Sequence, residues 1–168
     1  VLREARLVLS HLDSRRGDRR QAVEWLEQVL DEFPDDAAAM NDLGYLWAEA
    51  GVHLERALVM TRRAVVAEPD NAAYRDSLGW ALYRSGRLQE AVVTLQKAAE
   101  MLPDGEVFEH LGEVYLKLGE SRRAAANWGK AAEAYRKAGQ SDAAQAVEKR
   151  IVQEIDERSK SETMEKTK

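Results

Sequence analysis

The chain has 168 residues, with 25 Lys+Arg against 30 Asp+Glu and no cysteine. A net charge of -5 disfavours nucleic acid or an anionic membrane as the main partner. The lack of cysteine removes disulfide staples, thiolate zinc sites and cysteine catalysis, without settling the compartment. No apolar run approaches the ~20 residues needed to cross a bilayer, and alanine, leucine, glutamate and arginine dominate, which favours helix. The first residue is Val1 with no signal-like segment ahead of it, so the chain reads as a piece of a longer one.

Taken in chain order, the elements fall into units set by three prolines, Pro34, Pro69 and Pro103, spaced 35 and 34 apart and each followed by Asp. Proline closes the helix before it, and the Asp or Asn beyond it can cap the next by accepting from free backbone N–H groups. The first unit, about 3–36, has Ser10, Gly17, Ala22 and Leu26 in register and opens on a helix with a broad stripe of Val1, Leu2, Ala5, Val8, Leu9 and Leu12. The second, about 37–71, carries Leu43-Gly44, Gly51 and Ala57, with one extra residue in its turn and Thr61 where an apolar residue is expected. The third, about 72–104, repeats this with Leu78-Gly79, Gly86, Ala91 and Leu95. The fourth, about 105–138, has Leu111-Gly112, Gly119, Ala124 and Trp128. Each unit predicts helix, tight turn, helix. The glycine seven residues after Leu-Gly suits a turn at positive φ. The glycine inside the first helix costs roughly 1 kcal/mol and predicts a close approach of the second helix, with Ala57, Ala91 or Ala124 as its other half. After Gly139 a further helix, about 141–158, shows an apolar stripe of Ala144, Val147, Ile151 and Ile155. Residues 159–168 lack any pattern and read as disordered.

A helical hairpin repeating at this period is a solenoid signature. The segments "MNDLGYLW" (40–47), "RDSLGWAL" (75–82) and "FEHLGEVY" (108–115) resemble the tetratricopeptide repeat pattern W-x2-L-G-x2-Y…A-x3-F…P, and the wording of the repeats is similar to bacterial members. The resemblance implies an all-α fold: a right-handed α-solenoid of helix-turn-helix repeats, forming one domain over 1–158 with a C-terminal capping helix.

No catalytic constellation appears. His11, His53 and His110 fall in separate units, and the nearest metal-like spacing, Glu106, His110 and Glu113, has Val107 where a bundle site needs Glu. No cofactor or metal is therefore expected, and the paired Asp35-Asp36 reads as helix capping.

Face assignment at about 100° per residue, with Leu78 at zero, puts Asp76, Trp80 and Tyr83 at about 160°, 200° and 140°, opposite the packed side. In the resembled family the first helices line a concave groove. The resemblance thus implies a partner-binding groove of Asn41, Tyr45, Asp76, Trp80, Tyr83 and Arg84, ending in an acidic stretch of Glu106, Glu109 and Glu113 relieved by Lys117. Trp80 reads equally as a contact residue or as packing on the neighbouring first helix, whereas Trp25, Trp47 and Trp128 read as core. The family's clamp for chaperone C-terminal carboxylates fits poorly: Asn41 suits it, but Tyr45 and Trp80 replace its asparagine and Glu113 would repel a carboxylate.

The function expected is a non-catalytic scaffold for a protein or peptide partner with basic and apolar residues, without nucleic acid or membrane insertion. The alternatives are a module of a larger enzyme or of a secretion or assembly complex, and homodimerisation through the first helix. Cytoplasmic and periplasmic locations both stay open.

Overall fold

Local chemistry sets the helix boundaries. The computed structural model describes residues 1–165, with side-chain surroundings described through Glu154, and among these residues every regular element is an α-helix. The chain packs into two compact units, Val1–Lys97 and Ala98–Lys168.

In the first unit, α1 (Leu2–Arg16) and α2 (Arg19–Glu32) form one hairpin, α3 (Ala37–Ala50) and α4 (Leu54–Ala67) a second, and α5 (Ala72–Arg84) leads into α6 (Leu88–Met101). Helix α3 packs on α2 and α4, and α5 packs on both α3 and α4. The helix after each proline starts on a carboxylate or amide cap: Asp36 accepts from the Ala39 N–H at 2.8 Å, and Asn71 from the Tyr74 N–H at 3.2 Å. Each cap satisfies a backbone donor that has no partner within the helix. Of the Asp35-Asp36 pair, only Asp36 caps; Asp35 is exposed and pairs with Arg63.

The turn glycines adopt the predicted left-handed conformation, for instance Gly51 at φ 72°. The extra residue in that turn forces His53 to φ 50°, the one described non-glycine residue at positive φ, where its ring meets Trp47 edge-on at 5.1 Å.

The helix-interior glycines do mark close approaches, but the second half of the contact differs from the expectation. It is the side chain four residues beyond the alanine that fills the space. A Cβ on Gly79 would lie 2.5 Å from Leu95 Cγ, and one on Gly44 would lie 2.8 Å from Thr61 Cγ2, with the Ala57 carbonyl at 3.1 Å. The alanines are buried because a bulkier side chain would hold the two helices apart. Thr61 suits this place because its methyl faces Gly44 while its hydroxyl donates to the Ala57 carbonyl at 2.8 Å. Trp47 is a core residue, but Trp25 is only half-buried, its indole N–H donating to Asp13 at 3.0 Å.

In the second unit, α7 (Gly105–Lys117) and α8 (Ser121–Lys137) form a hairpin and α9 (Ser141–Glu165) packs on α8. Trp128 is fully buried, its indole lying where a Cβ on Gly112 would be. Ala144 and Val147 bury the inner face of α9. This helix continues seven residues past the boundary expected at 158. Residues 159–165 contain neither glycine nor proline, so no local breaker ends it there. Residues 166–168, the end of the segment expected to be disordered, lie outside the described residues.

Candidate partner-binding face

The ten residues expected to line a groove lie on α3, α5 and α7, the first helices of their hairpins. The six in the first unit are not equally open. Asn41, Asp76 and Trp80 are buried, whereas Tyr45, Tyr83 and Arg84 are half-buried. The reason is geometric: α3 and α5 lie side by side, so much of what points away from one hairpin's core meets the adjacent first helix.

Trp80 shows this most clearly. It is 9% exposed, and its indole N–H donates to Glu49 Oε2 at 2.8 Å, on the first helix of the preceding hairpin. Tyr83 stacks on it at 4.9 Å between ring centroids. The Arg84 guanidinium sits 5.8 Å from the Trp80 ring and donates to the Glu49 backbone carbonyl at 2.7 Å. The aromatic pair is therefore held in place by a cation and a carboxylate rather than projecting on flexible stems.

Glu49 is the residue the sequence did not single out. Beyond Trp80, its carboxylate lies 3.8 Å from Arg19 of α2, so one side chain links three helices. A signal was present: a glutamate in the last turn of a helix opposes the helix dipole and needs compensation from elsewhere.

Asn41 donates through Nδ2 to Asp42 Oδ1 at 3.0 Å, while its own Oδ1 is buried without a hydrogen-bond partner. Asp42 also meets His11 Nε2 at 3.0 Å. Burial pushes the Asp42 carboxyl above the usual carboxylate range, with Asn41 and His11 opposing the shift.

The four residues of the second unit share α7 and differ in exposure. Glu106 and Lys117 are exposed. Glu109 accepts from the Tyr135 hydroxyl at 3.0 Å, and burial followed by the Glu109 charge pushes that phenol above its ordinary range. Glu113 is gripped by Arg150 of α9, with N–O distances of 2.5 and 2.7 Å, and the same guanidinium lies 4.8 Å over the Trp128 ring. Burial nevertheless pushes the Glu113 carboxyl up, Arg150 only partly offsetting it. Lys117 is the relief expected for this acidic stretch as a whole; at Glu113 the cation is Arg150 of the following helix, α9, which packs on α8. Of the residues with metal-like spacing, Glu113 is engaged by Arg150, His110 is buried and Glu106 exposed.

On the first helix, the apolar stripe stays largely uncovered: Leu2, Val8, Leu9 and Leu12 are all exposed. In the register that aligns Ser10 with Gly44, residues Ala5, Leu9 and Leu12 correspond to Ala39, Leu43 and Leu46 of α3, which are buried. No helix of the described residues is long and apolar enough to cross a membrane.

Family models described as tetratricopeptide repeat match residues 7–53, 53–106 and 106–142. The chain is 38% identical over 104 residues to TPR repeat-containing protein PA4667 of Pseudomonas aeruginosa, a stretch covering 62% of this chain and 18% of that protein. It therefore spans less than a fifth of the length of that relative. Among solved structures, an O-GlcNAc transferase of Thermobaculum terrenum superposes with a TM-score of 0.71 at 28% identity, over 80% of this chain and 26% of the other. A thermophilic TPR protein of Thermus thermophilus superposes with a TM-score of 0.70 over 90% of this chain and 91% of the other, at 22% identity, a likeness of fold. With its all-α hairpins and its glycine–alanine register matched from residue 7 to residue 142, this chain belongs to the tetratricopeptide repeat family.

Proposed function

We infer that the chain is a non-catalytic protein-interaction module whose first-helix faces hold a segment of a protein partner. Repeats of this family generally mediate protein–protein interaction. The observation that carries the finer reading is the Trp80–Tyr83 pair locked by Glu49 and Arg84, with Tyr45 half-buried on the neighbouring first helix. Such a surface is pre-organised, so little side-chain entropy is lost when a partner covers the exposed tyrosine edges. Trp80 supports that surface from beneath, and Tyr45, Tyr83 and Arg84 meet the partner. In the second unit, the acidic residues of α7 suit a basic residue of the partner. Any activity of a longer protein containing this module would come from its other parts.

The test compares wild type with Tyr45→Ala plus Tyr83→Ala in affinity capture from the source lysate, with melting temperatures measured alongside. Loss of the captured proteins from a variant that still folds supports the reading. Unchanged capture at unchanged strength removes it.

A second reading rests on the uncovered stripe of α1. Residues buried in α3 have exposed equivalents in α1, and a second copy of the chain supplies one way to cover them. Sedimentation across a concentration series decides this: a monomer throughout rules out self-association.

A further inference from the structure

The solvent face of α4 differs from that of α2 in the same register. Aligning the fully buried Ala22 and Ala57 places Val59, Arg62, Arg63 and Val66 of α4 where α2 has Glu24, Glu27, Gln28 and Asp31. The α2 residues make an ordinary hydrated acidic face. In α4 the same positions expose Val59 at 58% and Val66 at 79%. In the same register α6 also exposes a valine, Val93 at 53%, but has Glu100 in the place of Val66, so α4 is set apart by a second exposed valine two turns on. β-branched side chains weaken a helix slightly, and exposed ones bury no area in return.

Two shallow hollows flank Arg63. One, of about 310 Å³, is lined by Met40, Val66 and Ala67 with Asp35, Arg62 and Arg63. The other, of about 270 Å³, is lined by Val59 and Met60 with Glu55, Arg56 and Arg63. Val59 and Val66 are seven residues apart, two helical turns or ~10.5 Å along the axis. The charge is also out of character. In a chain of net charge -5, α4 carries three arginines, Arg56, Arg62 and Arg63, against the single carboxylate of Glu55. Arg62 lies 3.7 Å from Glu90, and Arg63 pairs with Asp35. Both acids are more than half exposed, and surface pairs of this kind exchange partners at little cost.

We propose that this face of α4 docks an acidic amphipathic helix of a partner protein, separately from the first-helix faces. Two apolar side chains of that helix, two turns apart, seat in the hollows on either side of Arg63. Carboxylates on its flanks pair with Arg62 and Arg63 in place of Glu90 and Asp35. The spacing selects a helix, and the arginine excess of α4 itself, held by exposed carboxylates from elsewhere, selects an acidic one.

The experiment titrates the isotopically labelled full chain with two synthetic helical peptides. Both carry the same leucine seam, one flanked by glutamate and the other by lysine. The glutamate peptide shifts amide signals of α4 and binds about tenfold more tightly than the lysine peptide, a gap that narrows as salt is added. Arg62→Glu plus Arg63→Glu reverses the preference, and Val59→Glu plus Val66→Glu abolishes binding of both peptides. All four positions are exposed, so the variants keep the wild-type helical spectrum and melting behaviour. Equal binding of the two peptides overturns the proposal. So does a lack of shifts at α4, shifts confined to the Tyr45–Arg84 face, or unchanged affinity in the valine variant.

Discussion

Two glycines of the α7–α8 hairpin make opposite predictions for the same substitution. Gly112 lies inside α7 and Gly129 inside α8, neither at positive φ, so alanine gains about 1 kcal/mol of helix propensity at both. At Gly129 that is the whole effect, since an added Cβ meets nothing within 4 Å. At Gly112 the Cβ would overlap the indole of Trp128, which is fully buried and stacked beneath Arg150. Overpacking a closed core costs about 1–3 kcal/mol and occasionally more. Overlap with a rigid bicyclic ring belongs at the upper end, because the ring cannot bend aside as a flexible chain would. Gly112→Ala is therefore destabilising by about 1–2 kcal/mol after the propensity gain, while Gly129→Ala is stabilising by somewhat under 1 kcal/mol. A separation of ~2 kcal/mol corresponds to roughly 4–8 °C in Tm for a chain of this size. Thermal and urea unfolding followed by circular dichroism measure it. If Gly112→Ala is as stable as Gly129→Ala, the close approach is not what requires glycine there, and the account of the repeat register fails.

Trp80→Phe keeps an aromatic ring but removes the indole N–H and part of the buried ring, leaving Glu49 only its more distant pairing with Arg19. A loss of about 2 kcal/mol or more is expected from the hydrogen bond and the space left behind together, read by urea unfolding, and an unchanged midpoint would show that neither contributes. Glu113 has its folded-state pKa raised by burial, so its contribution to stability is fully present below the unfolded carboxylate pKa and is lost as pH rises through the folded value. Glu113→Gln, which can still accept from Arg150, should accordingly gain on wild type as pH rises through that window. Melting curves across pH, with an NMR titration of the Glu113 carboxyl, test this; titration at or below an ordinary glutamate contradicts it.

The hairpins could be read from sequence because the signals that build them act within a few residues. Proline removes a donor, Asp36 and Asn71 cap three residues ahead, and Gly51, Gly86 and Gly119 turn the chain where each stands. The packed glycines were legible too, because a costly residue at a fixed register implies a steric reason. Which atoms press on them was not, and Thr61, Leu95 and Trp128 took the role expected of the alanines. At the candidate site, helical geometry assigned the faces but could not show which positions an adjacent first helix would cover. Trp80 points away from its own hairpin's core, as expected, and still ends up buried because α3 lies beside it.

The sequence by itself determined that this is a chain of helical hairpins with a repeat register, because proline, glycine and capping preferences are local. Tertiary structure alone decided the chemistry of the faces. Glu49 reaches a tryptophan 31 residues away, Glu109 a tyrosine 26 away and Glu113 an arginine 37 away. No local preference encodes such pairs; they exist only because successive helices stack, which turns residues that look solvated in the sequence into contacts between neighbouring helices.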